Sequence, residues 1–317
     1  MLSRVAERVY WMARYLERAE NMARLLNVYS NLLFDMPRRT KVGWDSLITI
    51  TGTDEEFAEK EKAPDESAVV RFLLTEQNGV SVRSMLAGVR ENARTTREII
   101  PAEAFELINE LYIFGKEHAA KGVARGNRHE LLQEIVERCQ QITGLMAGTM
   151  SHNAAYSFIR IGRNLERADM TTRIVDVGSR NLLEAEKGKK KTPDEAQVET
   201  YENILWMSVL RSISAYQMYR QHVRDRVNGE DVVLFLMQNP DFPRSVVHCL
   251  TQVNNCIDDL PRNEDAMISV AKALRHARDV KITDLIHDGL FLFIDELQGE
   301  IGNVHQQIAA TWFLKRE

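Results

Sequence analysis

The sequence predicts an all-α protein, a helical bundle built from two tandem, pseudo-symmetric helical repeats packed as one body. Apolar residues recur at alternating steps of three and four along most of the chain, which is the spacing of one helix face. The 317 residues include only 7 Pro and 16 Gly, and no stretch alternates convincingly enough to be a strand. A charged stretch near the start also recurs in the second half in nearly the same form.

The first half is predicted to be a series of helices with short breaks. The first helix ends before Pro37, because proline cannot continue a helix. Ser81 precedes another apolar-periodic run and is the predicted N-cap of the helix that follows it. Helices are predicted over residues 2–33, 44–50, 68–74, 82–99, 102–122 and 131–150, and loops over residues 53–67 and 124–130.

The second half repeats this order. A long helix comes first, a charged, Lys-rich linker follows it, and shorter helices fill the remainder. The predictions are a helix over residues 153–183, a linker over 184–199, helices over 201–227, 234–238 and 246–257, breaks over 239–243 and 258–265, and two further helices after them.

The two halves also match residue by residue. Residues 14–28 and 163–177 are identical at seven of fifteen positions, where average residue usage gives about one by chance. The offset is 149 there, and it becomes 162 at Trp44 and Trp206, 163 at Phe72 and Phe235, and 164 at Ser81 and Ser245. The predicted units are therefore residues 1–150 and 151–317. Because the break near residue 150 is short, one compact body about a pseudo-twofold axis is favoured over two separate units.

The matching stretches carry glutamate and arginine beside the apolar stripe. At 100° per residue, Glu17 and Arg24 edge the core, whereas Arg14 and Arg18 lie further round, away from it. Glu20 precedes Arg24 by four residues, which is the favourable order for an ion pair within a helix.

Two interpretations of these charges stay open. In the structural one, Glu17 and Arg24 pair with Arg173 and Glu166 across the axis as a buried network. In the functional one, arginines bind a carboxylate or phosphate. The candidate ligand-binding residues are Arg14, Arg18, Arg24, Arg90, Asn92, Arg94, Arg163, Arg167 and Arg173, and Glu17 and Glu166 are the catalytic candidates if the protein is an enzyme.

Arg90, Asn92 and Arg94 come from a second charged stretch, "RENARTTR". Its arginines fall on one helix face, and the related stretch beginning at Asn254 lacks them. If the protein has one functional site, this asymmetry locates it on the side of the first repeat. An ordinary basic face is the alternative.

Composition excludes several classes of protein. The net charge of −5 does not favour nucleic-acid binding, and no apolar run is long enough to cross a bilayer. The start does not have the apolar core of a signal peptide, so a cytoplasmic location is expected. Cys139, Cys249 and Cys256 are predicted core residues. No cofactor or metal is expected, since Asp284-x-x-His287 is an isolated near match to a di-iron motif.

The stretch R-x-L-E-R-A-[DE], present twice in a helical chain of this size, resembles the bacterial Alpha-E domain family. The "RENAR" and "PRSV" stretches resemble it as well, and the opening 26 residues are the most specific part. The resemblance implies an all-helical fold, usually a tandem duplication, and a Glu-Arg motif that falls here on Glu17-Arg18 and Glu166-Arg167. Gly79-Val80 departs from the family, because a Pro is often seen there before the Ser81 cap.

The resemblance also implies a functional context. Genes of the family lie beside circularly permuted ATP-grasp ligases, transglutaminase-like proteins and N-terminal-nucleophile peptidases, which implies a system for peptide or amide synthesis and modification. Three hypotheses follow: an accessory component that docks the ligase and binds a carboxylate or phosphate, an amide-bond transferase or hydrolase, or a structural homo-oligomer. No Ser, Cys or Thr stands in a recognisable activated setting, which favours the accessory role.

Overall fold

The computed structural model describes residues 2–35, 43–187, 195–285 and 289–313, and within them it contains fifteen α-helices and no strand. The all-α prediction is confirmed. The first seven helices are α1 (Ser3–Asp35), α2 (Asp45–Thr51), α3 (Asp54–Lys60), α4 (Glu66–Leu74), α5 (Val82–Arg94), α6 (Ala102–His118) and α7 (Arg125–Thr149), with a 3-10 helix over Ala119–Val123. The other eight are α8 (Ala154–Lys187), α9 (Glu195–Ser212), α10 (Tyr216–His222), α11 (Gly229–Gln238), α12 (Val246–Asp258), α13 (Glu264–Asp279), α14 (Ile282–Leu285) and α15 (Leu290–Trp312).

The two longest helices, α1 and α8, pack against each other in the middle of the molecule. Helices α5 and α7 flank α1, and helices α12 and α15 flank α8. A Cβ atom on Gly162 of α8 would lie 2.5 Å from the carbonyl oxygen of Tyr10 on α1, so the two backbones come close there. This packing positions the Glu-Arg stretches. The tandem duplication itself stays a prediction.

Two predicted loops contain helix instead. Residues 53–67 include α3, whose first turn carries three acidic residues and whose last turn carries a lysine, in agreement with the helix dipole. Phe57 of α3 is buried and fixes the helix to the core. Within residues 124–130, α7 begins at Arg125, and the buried Arg128 of its first turns donates to the Glu66 carboxylate at 2.8 Å. Tertiary contacts thus stabilise helices that the local sequence does not predict.

Two predicted helices end early. The helix predicted over residues 82–99 ends at Arg94, and the hydroxyl of Thr96 donates to the carbonyl oxygen of Asn92 at 2.9 Å. The helix predicted over residues 201–227 is two helices, because Ser214 takes a left-handed φ of 54° that ends α9. The predicted linker, residues 184–199, overlaps the end of α8 and the start of α9. Residues 188–194 lie outside the described part of the chain.

Several local predictions are confirmed. The Ser81 side chain caps α5 by accepting from the backbone N–H of Ser84. Cys139, Cys249 and Cys256 are all buried as free thiols. None of the helices in the described ranges combines the length and the apolar character that crossing a bilayer requires.

Candidate functional site

The two Glu-Arg dipeptides meet where α1 packs against α8. Arg18 donates to the Glu166 carboxylate, with Nε 2.5 Å from Oε1 and Nη2 2.9 Å from Oε2. Arg167 Nε lies 2.9 Å from Oε1 of Glu17. The arginine of each dipeptide therefore binds the glutamate of the other, and the arrangement is reciprocal.

Both glutamates of these pairs are buried. Glu17 is 2% exposed and Glu166 is fully buried, whereas Arg18 and Arg167 keep a small exposed fraction. A buried charge has to be paired, and the cost of removing two ions from water offsets much of their attraction. We therefore expect these pairs to fix how α1 and α8 align more than to add net stability.

Arg14 is a second cation on Glu166. Its Nε lies 2.7 Å from Oε2 of that carboxylate, and its guanidinium lies over the Trp11 ring, 5.3 Å from the centroid. Arg14 and Arg18 were expected to lie further round the helix from the core, and this was wrong for Arg14, which is only 8% exposed. The helical wheel assumed a single apolar face, but α1 is packed by helices on several sides.

Arg244 is a second cation on Glu17, and the sequence analysis did not select it. Arg244 follows α11, and its Nη1 lies 2.7 Å from Oε1 of Glu17 and 2.8 Å from Oδ1 of Asn21. Its Nη2 lies 2.8 Å from Oε1 of Glu20. The backbone is held there by Thr171, whose hydroxyl donates to the Arg244 carbonyl oxygen at 2.9 Å. The "PRSV" stretch was the available signal, because Arg244 is its second residue.

The paired arginines keep both motif carboxylates ionised. Burial alone would raise the pKa of the Glu17 carboxyl. The positive charges of Arg167 and Arg244 lower the pKa by more than burial raises it, so it falls from 4.5 to about 2. Burial likewise raises the pKa of the Glu166 carboxyl, but the guanidiniums of Arg14 and Arg18 lower it by more, so this pKa is also about 2. A general base is most effective with a pKa near the working pH, so these carboxylates are poor bases at neutral pH.

Two further ion pairs lie within the helices themselves. Arg24 binds Glu20, as predicted, and Arg173 Nε lies 3.0 Å from Oδ2 of Asp169. Glu17 was expected to pair with Arg173 across the axis, and Arg24 with Glu166. Both glutamates do pair across the axis, but with other arginines. The arginine that crosses to the other helix directly follows each glutamate, while Arg24 and Arg173 bind carboxylates one turn away on their own helix.

Arg163 is related to Arg14 by the predicted offset of 149, but its environment differs. It forms no ion pair with any described carboxylate, although Glu17 lies close enough to influence it. Burial lowers the pKa of the Arg163 guanidinium, and the neighbouring Arg167 lowers it further. Arg244 has taken the place on Glu17 that Arg14 takes on Glu166.

The second charged stretch does not join this network. Arg90 Nε donates to the side-chain oxygen of Asn109 at 2.7 Å, and Arg94 pairs with Glu91 on the exposed face of α5. Asn92 is buried and lies elsewhere, beside Arg8 of α1. The structure therefore does not bring Arg90, Asn92 and Arg94 together into one site.

A cavity of about 120 Å³ opens beside Glu166. Its polar wall includes Arg18, Arg173 and Asp169, and its apolar wall is rich in methionine. The lining residues are Arg18, Met22, Ile50, Thr51, Val80, Met85, Glu166, Asp169, Met170 and Arg173. The Glu17 end of the network is filled by Arg244, whereas the Glu166 end leaves room for a small ligand.

Cys249 lies close to the Glu17 end of this network, but its thiol is not activated. Burial raises the pKa of the Cys249 thiol to about 12, so the thiol stays protonated near neutral pH. Within the described ranges, no three His, Cys, Asp or Glu side chains are placed to hold a metal ion. His287 of the near match to a di-iron motif lies outside the described residues, and His152 stacks on Tyr156 at the surface.

Comparison with known protein families gives a match. A family model that describes a predicted alpha-helical domain with a conserved ER motif matches residues 1–313. That description names an ER motif, and Glu17-Arg18 and Glu166-Arg167 are two of the ER dipeptides of this chain. Neither the curated proteins nor the solved structures gave a match.

Proposed function

The chain belongs to the Alpha-E family, and from this membership we propose that it is a non-catalytic helical component of a peptide or amide synthesis and modification system. In this proposal it docks a circularly permuted ATP-grasp ligase, works alongside a transglutaminase-like protein, and binds a small carboxylate. The observation that supports a non-catalytic role is that each motif carboxylate is paired with two guanidinium groups. An amide-bond transferase that used Glu17 or Glu166 as general base would need a carboxyl that titrates near neutral pH.

The cavity beside Glu166 is the proposed carboxylate site. Val80, in its lining, is related to Arg244 by the predicted offset of 164. The Arg244 guanidinium fills the corresponding space beside Glu17, and the shorter Val80 side chain leaves that space open. The cavity is therefore large enough for a group about the size of a guanidinium with a short apolar extension.

The residues around the cavity favour an anion over a cation. Asn21 and Glu20 accept hydrogen bonds from Arg244. At the positions related to them by the offset of 149, Met170 has no such acceptor and Asp169 has a shorter side chain. Arg24 also donates to the hydroxyl of Ser214, whereas glycine stands at the position related to Ser214. The Glu166 end therefore has fewer hydrogen-bond acceptors than the Glu17 end, but it has the same type of arginine donors.

The charge balance favours an anion as well. Three guanidiniums, those of Arg14, Arg18 and Arg173, surround two carboxylates, those of Glu166 and Asp169. Arginine presents paired donors to a carboxylate, and the methionine-rich wall suits a short apolar chain. A short-chain monocarboxylate meets both requirements better than a phosphate, which has no apolar part.

Titration calorimetry with butyrate, against the neutral butyramide, tests the ligand site. We expect butyrate to bind the unmodified protein and butyramide not to bind. Val80→Arg should abolish binding by filling the cavity, and Arg173→Gln should weaken it at least tenfold by removing donors. Arg180→Gln is the matched control, because Arg180 pairs with Asp176 four residues before it but does not line the cavity. Equal affinity in all variants, or no binding to the unmodified protein, would overturn the site, and phosphate binding in its place would overturn the ligand class.

The docking role has a separate test. The tagged chain, co-expressed with a circularly permuted ATP-grasp ligase, should co-purify with it, and the isolated chain should neither form nor hydrolyse amides. Turnover by the isolated chain would favour the enzyme hypothesis. A stable complex of the chain with itself, without any association with the ligase, would favour the structural homo-oligomer.

A further inference from the structure

A larger opening lies along α1, nearer the start of the helix than the contact between Arg18 and Glu166. Arg4, Arg8, Trp11 and Tyr15 line an open cleft of about 890 Å³. Their spacing of four, three and four residues places them along one helix face. At a rise of about 1.5 Å per residue, this stripe is roughly 16 Å long.

Two other helices form the sides of the cleft. Asn92 of α5 lies on one side, where its side-chain oxygen accepts from Arg8 Nη1 at 3.3 Å. The end of α15 lies on the other side, where Ala309 and Ala310 leave the cleft wide because their side chains are small. The opening is therefore a groove between α5 and α15, with α1 as its floor.

The aromatic part of the floor is held firmly. Trp11 stacks on Tyr15 with ring centroids 5.4 Å apart, and it meets the ring of His305 edge-on. The His305 Nδ1 in turn lies 2.8 Å from the hydroxyl of the buried Tyr10. Such a preorganised aromatic surface binds a planar or apolar side chain at a low cost in conformational entropy.

The other end of the groove is cationic. Arg4 is exposed and Arg8 is half-buried, and Glu7 is the acidic residue of the lining. His305 is neutral near neutral pH, since burial, with Arg14 nearby, lowers its pKa to about 4. The cleft therefore carries an excess positive charge on a chain whose net charge is −5.

We propose that this cleft docks an extended acidic peptide segment of about five residues, with its carboxylates on Arg4 and Arg8 and an aromatic side chain against Trp11 and Tyr15. A groove of roughly 16 Å accommodates about five residues of extended chain at about 3.3 Å each. The charge of the groove selects an acidic occupant, and its aromatic end selects an apolar one. The inference rests on the proposed docking role, for which it names the surface and the chemistry of the partner segment.

Fluorescence anisotropy with two labelled, blocked pentapeptides tests the proposal. One peptide carries two glutamates and a phenylalanine, and the other carries glutamines in place of the glutamates. We expect the acidic peptide to bind at least tenfold more tightly than the glutamine peptide. The double substitution Arg4→Gln with Arg8→Gln should remove that difference, and Arg94→Gln should preserve it, because Arg94 is an exposed arginine of α5 that does not line the cleft.

The outcomes separate this inference from the docking role. Equal affinity for the two peptides, or unchanged binding by the double variant, would overturn the cleft assignment. If the ligase co-purifies equally with the parent and the double variant, the cleft assignment fails and the docking role stands. If the acidic peptide binds as expected but the ligase does not co-purify, the docking role fails and the cleft stands.

Discussion

At the scale of single residues, the two Glu-Arg dipeptides form two complementary halves of one network. Each glutamate is held by the arginine of the other dipeptide and by one further arginine, Arg14 for Glu166 and Arg244 for Glu17. Both carboxylates are consequently charged, buried and fully engaged. A glutamate in this state holds its neighbours in place and has little capacity to accept a proton.

The pKa values predict how stability depends on pH. His305 has a folded-state pKa of about 4 against an ordinary 6.5, so between these values the unfolded chain binds a proton that the folded chain does not. The His305 contribution to the free energy of unfolding therefore falls as the pH drops from 6.5 to 4. The carboxylates of Glu17 and Glu166, with pKa values of about 2, contribute stability that is lost between pH 4.5 and 2.

Urea denaturation of the parent and of His305→Gln, at several pH values from 7.5 to 4, checks the first of these windows. The two free energies of unfolding should differ by a constant amount above pH 7, and the parent should lose stability relative to the variant below pH 6.5. Parallel profiles throughout the range would contradict the assigned pKa of His305.

The sequence identified most of the charged residues of this network but not how they pair, and it did not identify Arg244. Glu17, Arg18, Glu166 and Arg167 were all selected from the repeated stretch. Their pairing depends on how α1 and α8 align, which no spacing within one helix determines. Arg244 was missed because it lies 227 residues from Glu17 along the chain and outside any helix.

At the scale of helices, the close approach of α1 and α8 is as important as their charges. Gly162 allows it, because a Cβ atom there would lie 2.5 Å from the Tyr10 carbonyl oxygen. The dipeptides reach each other because the backbones are this close. A larger residue would separate the helices or displace Tyr10.

Gly162→Ala should therefore destabilise the protein by about 1–3 kcal/mol, although alanine is the better helix former. Gly144→Ala is the matched control, since Gly144 is also inside a helix and a Cβ there would meet no atom within 4 Å. That substitution should stabilise by about 0.5–1 kcal/mol. Urea denaturation measures both, and a shift of the same sign in the two variants would contradict the close contact.

Helix periodicity predicted the long elements well and the short ones less well. Helices α1 and α8 have long apolar stripes, and their predicted bounds differ from the observed ones by only a few residues at each end. Helix α3 was missed because its single buried anchor, Phe57, produces no periodic signal. The start of α7 was missed because Arg128, a charged residue, is buried there and contacts Ser30 and Glu66 from distant parts of the chain.

At the scale of the whole molecule, the network connects the first half of the chain to the second. Arg18 and Glu166 lie 148 residues apart, and they join the long helix of one half to that of the other. The Glu17 end is filled by the chain's own Arg244, and the Glu166 end has a cavity. This asymmetry is the basis on which we propose a ligand site at the Glu166 end.

A double-mutant cycle on Glu166 and Arg18 tests most directly the claim that the Glu-Arg motif is a reciprocal structural pair. The free energies of unfolding of the parent, Glu166→Gln, Arg18→Gln and the double variant are measured by urea denaturation at pH 7. We predict a coupling free energy of about 1–3 kcal/mol, as expected for residues in one buried network, and a smaller coupling for the exposed pair of Glu91 and Arg94. Additive effects of the two substitutions, within about 0.5 kcal/mol, would contradict the claim.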